Sequence, residues 1–337
     1  MAGWRIGEGR LDDSINNALY QARATRNTPF GRMVGPVSGR WRSSAGEYVL
    51  CNTWDGDVDI SLPGPGRDGL GIPITISNLG PNAVYVWPSQ GATIRGYNVW
   101  PITRSSAPVT FIKVQESLYD CPGAPSERVW AEWNELDTSQ FDTQQNANST
   151  GITVAAAIGN SSVKRPTITM TATGNSGGVI PSHALLLFKR RLPTKAYRVE
   201  ATWSCETFNS GICDGALVVR YQPDGSYLCG CHQPGSSNYQ MYVEPIGGTR
   251  AAVGDAISQT LSINSSGEGL SMSLECRSST TLVFGTPAGD YLTTNSDSEV
   301  YPAGRAGFAL RSGNGTTSVY IRKLRVVLED TATDLIP

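Results

Sequence analysis

Histidine is nearly absent from this chain, and long apolar runs are missing altogether. The 337 residues include two histidines, His183 and His232. Neither stands in a G-x-S-x-G nucleophile context, and no G-x-x-x-x-G-K-[ST] phosphate loop occurs, so neither a serine hydrolase nor a nucleotide-binding enzyme is supported. No apolar run approaches the roughly 18 residues of a membrane-spanning helix.

Charge of either sign is also scarce. Charged residues make up 17% of the chain and the formal net charge is −2, which indicates no surface for nucleic acid or anionic membranes. The first residues, MAGWRIGEGRLDDS, lack the apolar middle of a signal peptide. We therefore expect synthesis and assembly in a cytoplasm.

The seven cysteines include no C-x-x-C pair. Three interpretations stay open: buried reduced thiols, a disulfide formed after release, or a metal site. One group invites a zinc interpretation, but its spacing matches no familiar zinc module; it comprises Cys205, Cys213, Cys229, Cys231 and His232. We expect core thiols, no metal and no cofactor.

Turn residues and short alternating segments are what the sequence has in abundance. It contains 37 glycines and 20 prolines, and many segments alternate like Leu270 to Cys276, where Leu, Met, Leu and Cys occupy every second position. This pattern predicts an all-β protein of many short strands. Two hairpins are predicted from turn chemistry, one within Ile74 to Gly96 and one around Gly313-Asn314-Gly315.

The segment from Tyr48 to Trp133 carries an ordered set of motifs. A strand ends in SLP, and a Gly-rich loop, ITISN, VYVWPSQGATIRG, VTFIKV and a terminal Trp follow. This order resembles a small β-module of tailed-bacteriophage virion proteins. The resemblance implies a structural part of a virus particle, and a homotrimer.

The segment from Ile152 to Val327 carries a second set of motifs. GALVVRYQPDGSYLCG, YQMYVE, AGRAGFAL and VYIRKLRV resemble strands of concanavalin-A-like lectin/glucanase jelly rolls. The resemblance implies a two-sheet sandwich and, in many members, glycan binding, although fold alone does not carry function.

We therefore predict an all-β fold in which a small phage-type β-module precedes a concanavalin-A-like β-sandwich (jelly roll), with a short N-terminal arm. The predicted boundaries are 1–39 for the docking arm, 40–136 for the β-module, 137–151 for a linker and 152–337 for the sandwich. Within the arm, Leu11, Ile15 and Leu19 have near-helical spacing. The arm is too short and polar to bury a core of its own, so we expect these side chains to dock on another subunit.

Arg220, Tyr227 and Tyr239 are the candidate glycan-binding residues. Aromatic faces stack on sugars, and a few planar polar groups fix the sugar's orientation. The alternative is that these aromatic side chains fill or border the core, as aromatic residues in strands usually do.

Catalysis is not indicated. A retaining glycosidase needs two carboxyl groups about 5–5.5 Å apart. Glu132 and Glu135 have an odd spacing, which puts them on opposite faces of a strand, and Asp297 and Glu299 lie in a polar stretch typical of a loop. We expect no catalytic residue and no enzymatic activity.

The predicted function is that of a non-enzymatic virion structural protein, either a capsid decoration or head fibre or a tail appendage. Its expected partners are further copies of itself, the major capsid protein or tail and adaptor proteins, and a host surface glycan. Nucleic acid and membrane insertion are not expected, and the expected location is the virion, assembled in the host cytoplasm. Two alternatives are a host-glycan receptor-binding protein and a polysaccharide depolymerase.

Overall fold

A computed structural model places the chain's regular structure entirely in strands among the residues that it describes. These are residues 32–103, 106–133, 138, 140–145, 152–158, 166–174, 182–207, 213–233, 238–244, 250–258, 269–277, 281–287, 289–294, 304–312 and 315–329. No helix in these ranges is long and apolar enough to cross a membrane. The chain divides into two compact units, Met1–Arg128 and Val129–Pro337.

In the first unit, strands that follow one another along the chain mostly alternate between two sheets. Its described strands are β1 (Arg32–Val37), β2 (Arg40–Arg42), β3 (Glu47–Cys51), β4 (Val58–Ser61), β5 (Pro73–Asn78), β6 (Val84–Trp87), β7 (Thr93–Ile94), β8 (Trp100–Ile102), β9 (Val109–Gln115) and β10 (Leu118–Asp120). One sheet has the order β1-β3-β5-β9-β10-β7 and the other has the order β2-β4-β6-β8. In the first sheet β1, β3 and β5 run parallel, and in the second β2, β4 and β6 do.

The core of the first unit lies between these two sheets. Successive side chains of a strand point to opposite faces, so alternate apolar residues meet in the middle. Val49, Ile60, Ile76, Val86 and Phe111 are each fully buried there. Burial of such a side chain stabilises the folded state by about 1.5–3 kcal/mol. An alternating apolar pattern therefore indicates a strand with one face in a core.

Two expectations for the first unit need correction. The predicted hairpin within Ile74 to Gly96 does not form, because β5 and β6 belong to different sheets. Each instead pairs in parallel with the strand two positions earlier in the chain, β5 with β3 and β6 with β4. Residues 32–37, expected in the docking arm, form β1 and pair with β3.

The second unit is a sandwich of two sheets, as predicted. Its described strands are β11 (Arg128–Glu132), β12 (Phe141–Gln145), β13 (Ile152–Ile158), β14 (Pro166–Gly174), β15 (Ser182–Phe188), β16 (Tyr197–Thr207), β17 (Cys213–Tyr221), β18 (Tyr227–Gln233), β19 (Asn238–Glu244), β20 (Ala251–Ser258), β21 (Leu270–Cys276), β22 (Thr281–Thr286), β23 (Gly289–Thr294), β24 (Arg305–Ser312) and β25 (Gly315–Leu328). An eight-stranded sheet has the order β13-β14-β25-β16-β21-β22-β23, with β11 paired to β25. A seven-stranded sheet has the order β12-β15-β24-β17-β18-β19-β20.

The sandwich core is built around Trp203 of the eight-stranded sheet. Its ring lies edge-on to Phe308 of the other sheet, with 5.6 Å between ring centroids. A Cβ atom on Gly215 would lie 2.4 Å from the Trp203 ring, so a glycine is required where the indole meets the facing strand. The large Trp203 side chain thus fills the space between the sheets that the missing side chain of Gly215 leaves.

Two expectations for the second unit also need correction. The predicted linker, 137–151, contains β12, which pairs with β15 and packs Phe141 on Phe188 at 4.7 Å between ring centroids. The predicted hairpin at Gly313-Asn314-Gly315 does not form either, because β24 and β25 lie in different sheets. Each strand contributes to the core from its own sheet, Phe308 from β24 and Val319 from β25.

Candidate functional site

Two of the predicted glycan-binding residues lie inside the sandwich. Arg220 is fully buried, has a φ of 54°, and donates its backbone N–H to the Tyr197 hydroxyl at 2.8 Å. Tyr239 is also fully buried, with 4.5 Å between the centroids of its ring and the His232 ring. Neither side chain has surface to offer a sugar, so this interpretation was wrong for both residues. The alternative, that such side chains fill the core, holds for them.

The third, Tyr227, lies on the opposite face of the seven-stranded sheet. There it belongs to an apolar cluster and is 4% exposed, too little for its ring to stack on a sugar. The same cluster holds Cys229 and Cys231, which share a face because they are two residues apart on β18. The structure therefore does not bring the three predicted residues together. Six further residues named from the sequence lie outside the described residues, namely Leu11, Ile15, Leu19, Glu135, Asp297 and Glu299.

An open groove crosses the outer face of the eight-stranded sheet instead. Its volume is about 390 Å³, and its lining comes from β16, β21, β22, β23 and β25 together with the turn after β22. The lining residues are Glu200, Ala201, Thr202, Ser271, Met272, Ser273, Gly285, Thr286, Pro287, Asp290 and Lys323.

Hydroxyl groups form the floor of the groove. Thr202 and Ser271 face each other across β16 and β21, with their hydroxyl oxygens 2.9 Å apart. Ser273 follows Ser271 on the same face of β21, because the intervening Met272 points into the core. Three hydroxyls, each a donor and an acceptor, thus lie side by side on a rigid sheet.

Gly285 keeps the groove open. It pairs with Ser273 on one side and with Asp290 on the other. A Cβ atom on Gly285 would lie 2.2 Å from the Ser273 hydroxyl oxygen and 3.0 Å from an Asp290 carboxylate oxygen. A side chain at this position would therefore fill the space that separates the serine floor from the acidic rim.

A half-buried carboxylate forms one end of the groove. Glu200 accepts hydrogen bonds from Arg325 Nε at 2.7 Å and from Lys323 Nζ at 2.9 Å. Its other oxygen accepts one from Arg198 Nε at 2.9 Å. Burial by itself raises the pKa of the Glu200 carboxyl, but these three hydrogen bonds outweigh burial and lower the pKa to about 2.

This arrangement suits binding better than proton transfer. Glu200 stays ionised at neutral pH, so it cannot act as the general acid that glycoside hydrolysis needs. Lys323 remains 47% exposed, and its ammonium group has three N–H donors, of which Glu200 takes one. No group of three or more His, Cys, Asp or Glu residues in the described part of the chain is placed to hold a metal ion.

The sequence contained a signal for part of this groove. Ser271 and Ser273 alternate with buried residues of β21, a pattern that identifies an outward face but does not distinguish a binding surface from an ordinary solvated one. Lys323 and Glu200 are 123 positions apart in the chain. Only the pairing of β16 with β25 brings them together.

Comparisons with known proteins add little about function. No protein-family model and no curated protein matches the chain. Similar solved structures include the carbohydrate-binding module CBM66 from Bacillus subtilis, with 12% identity, a TM-score of 0.39, and coverage of 55% of this chain and 94% of that chain. A family 16 glycoside hydrolase from Bacteroides ovatus has 12% identity, a TM-score of 0.41, and coverage of 57% and 97%. A protein with a galectin-like fold from Bacillus subtilis has 12% identity, a TM-score of 0.41, and coverage of 59% and 96%. At TM-scores below 0.5, these similarities carry no argument about what the chain binds.

Proposed function

We propose that this protein is a non-enzymatic glycan-binding protein whose ligand lies in the groove on the eight-stranded sheet. The observation that carries the proposal is the row of outward hydroxyls, Thr202, Ser271 and Ser273, beside an exposed ammonium group in an open groove. Sugars are recognised by such fixed donors and acceptors in a concave site.

The charges around the groove favour a neutral glycan. Glu200 and Asp290 supply two negative charges. Lys323 and Arg325 pair with Glu200 and balance these two carboxylates. Arg198, the third cation on Glu200, is balanced by its second partner, Glu329. A neutral oligosaccharide can hydrogen-bond to the hydroxyls of the groove floor and to the exposed ammonium group of Lys323. It brings no charge that would have to be desolvated.

Hydrolysis is not part of the proposal. Of the two groove carboxylates, Glu200 is held as an anion by three cationic side chains. A retaining or inverting mechanism requires one carboxyl group that carries a proton near neutral pH. We therefore propose binding without turnover, and expect no release of reducing ends from any oligosaccharide that binds.

A glycan array probed with the full chain tests the proposal. Binding of neutral oligosaccharides by the wild type, and its loss in the double variant Ser271→Ala/Ser273→Ala, is the expected result. A matched control exists on the same sheet, where Thr171 and Ser318 also have hydroxyl oxygens 2.9 Å apart but do not line the groove. Thr171→Ala should bind like the wild type, and equal losses in both variants would contradict the proposal.

A second candidate function is a structural role in a virus particle. It rests on the sequence resemblance of the first unit and on the position of β1 and β2 at the edges of their sheets. Among the described strands, each of these two pairs with a neighbour on one side only. We propose that a homotrimer assembled in the host cytoplasm joins the particle through the arm, binding capsid, tail or adaptor proteins. The groove would then hold a host surface glycan.

Removal of residues 1–31 tests the particle role separately. The truncated protein should keep its glycan binding and its cooperative unfolding, while sedimentation with particles is lost. Sedimentation equilibrium of the full chain should give three times the 36.0 kDa chain mass. A monomer, or full incorporation of the truncated protein, would contradict this second candidate without affecting the first.

A further inference from the structure

The four-stranded sheet of the first unit carries a second outward row of polar and aromatic side chains. Arg42, Ser61 and Trp87 are register partners on β2, β4 and β6. Neighbouring strands lie about 4.8 Å apart, so these three Cα atoms span about 10 Å in a line. The row belongs to a different unit from the groove and plays no part in the function proposed above.

Alternation fixes the outward direction of this row. Trp41, Ile60 and Val86 immediately precede the three residues and pack on the core between the sheets. The residues that follow them therefore point to the other face. Arg42 and Ser61 are exposed, and Trp87 is half-buried.

The indole of Trp87 is held in place before any ligand arrives. Its Nε1 donates a hydrogen bond to Asp59 Oδ1 at 2.8 Å, and Asp59 lies on the same outward face of β4. A fixed aromatic ring offers a stacking surface at a small entropic cost, since little rotamer freedom is lost on binding.

The net charge of this face is positive, because it carries Arg40 and Arg42 against the single carboxylate of Asp59. Arg40 and Arg42 both point outward from β2, and neither forms an ion pair or hydrogen bond with any residue that the structure describes. Charged side chains on an edge strand also discourage edge-to-edge pairing. Edge protection does not require a hydroxyl and a fixed indole in the same register, and that combination points to a ligand.

We propose that Arg42, Ser61 and Trp87 form a binding site for an acidic sugar residue. The indole face stacks on the apolar face of the pyranose ring, as aromatic rings do with flat ligands. The guanidinium of Arg42 pairs with the sugar's carboxylate, for which its planar fork is well suited. The hydroxyl of Ser61 lies between the two and bonds a ring hydroxyl.

The test compares trigalacturonic acid with its methyl ester, which has the same ring but no charge. Calorimetric titration of the full chain should show at least tenfold tighter binding of the acid. Arg42→Gln should weaken that binding at least fivefold, and Trp87→Ala should abolish it with an unchanged circular dichroism spectrum. The control is Arg67→Gln, because Arg67 is 85% exposed and paired with Glu116 elsewhere on this unit.

Three results would overturn the proposal. The first is undetectable binding of the acid at millimolar concentration, and the second is equal binding of acid and ester. The third is equally tight binding of a polyglutamate peptide, which would indicate an acidic protein partner instead of a sugar. Blocking the groove with Ser271→Trp should leave binding of the acid unchanged, so failure of the groove and failure of this site are distinguishable.

Discussion

Arg325 Nε lies 2.7 Å from Glu200 Oε2 across two adjacent strands of the eight-stranded sheet. This contact, with the second one from Lys323, holds a carboxylate in its charged form at one end of the groove. Its energetic consequence can be measured directly.

Glu200→Gln should destabilise the second unit by on the order of 2 kcal/mol at pH 7, because three cationic side chains lose their shared anion and solvent screens part of the effect. The folded-state pKa is lowered from 4.5 to about 2. The stabilisation is therefore present above about pH 4.5 and is lost as the pH falls towards 2. Urea unfolding at pH 7 and pH 3 should show a smaller difference between variant and wild type at pH 3.

The control for this prediction is Glu275→Gln. Among the described residues, the ion-pair partner of Glu275 is Arg277, two positions further along the chain, whose side chain is 54% exposed. Such an exposed pair should contribute less than about 1 kcal/mol. A Glu275 variant as unstable as the Glu200 variant would contradict the role assigned to the Glu200 contacts.

His232 should make the second unit less stable in mild acid. It is fully buried, neither ring nitrogen has a hydrogen-bond partner among the described residues, and burial lowers its pKa from 6.5 to about 4. Because the unfolded chain binds the proton more tightly, stability falls as the pH drops from 6.5 towards 4. The loss should reach about 2 kcal/mol between pH 7.5 and pH 5. Urea unfolding of His232→Phe should lack this part of the pH dependence, and an unchanged pH dependence would contradict the assignment.

Gly215→Val should destabilise the sandwich by about 1–3 kcal/mol. A Cβ atom there would approach the Trp203 ring to 2.4 Å, and the ring is fully buried with Phe308 and His232 packed edge-on to it. Gly64→Ala is the matched control, since its nearest neighbour, Arg42 Nη2, would stay 4.0 Å away. Thermal unfolding should separate the two variants, and equal melting temperatures would contradict the packing described.

Lys113→Met should loosen the loop between β4 and β5. The buried ammonium of Lys113 donates to the Gly64 carbonyl at 2.6 Å, and Tyr119 donates to the Pro63 carbonyl at 3.0 Å. Loss of the first contact removes the Lys113 donor from the half-buried Gly64 carbonyl. Trypsin should therefore cleave after Arg67 faster than in the wild type. Lys189→Met, an exposed residue of the other unit, should leave that cleavage rate unchanged.

Local alternation predicted strands well and predicted their partners poorly. Leu270, Met272, Leu274 and Cys276 are all buried on one face of β21, as their spacing indicated. Turn signals, however, mark where a strand ends and not which sheet the next strand joins. For that reason both predicted hairpins, at Ile74 to Gly96 and at Gly313 to Gly315, were wrong.

The candidate site was harder to predict than the fold. The side chains of Tyr239 and Arg220 are of types that bind glycans, but both are fully buried inside the sandwich. The groove depends on Gly285 standing beside Ser273, and this juxtaposition exists only once the register between β21 and β22 is known. Likewise, the two partners of Glu200 on β25, Lys323 and Arg325, lie 123 and 125 positions away from it in the chain.

The most direct test of the central claim is calorimetric titration of a neutral oligosaccharide that binds on the array into full-length Ser271→Trp. Ser271 is exposed on the groove floor, so the indole occupies the groove without entering the core. Ser318→Trp, on the same sheet but outside the groove lining, is the control. The account predicts at least a tenfold loss of affinity for Ser271→Trp and none for Ser318→Trp. Unchanged affinity in Ser271→Trp would contradict it.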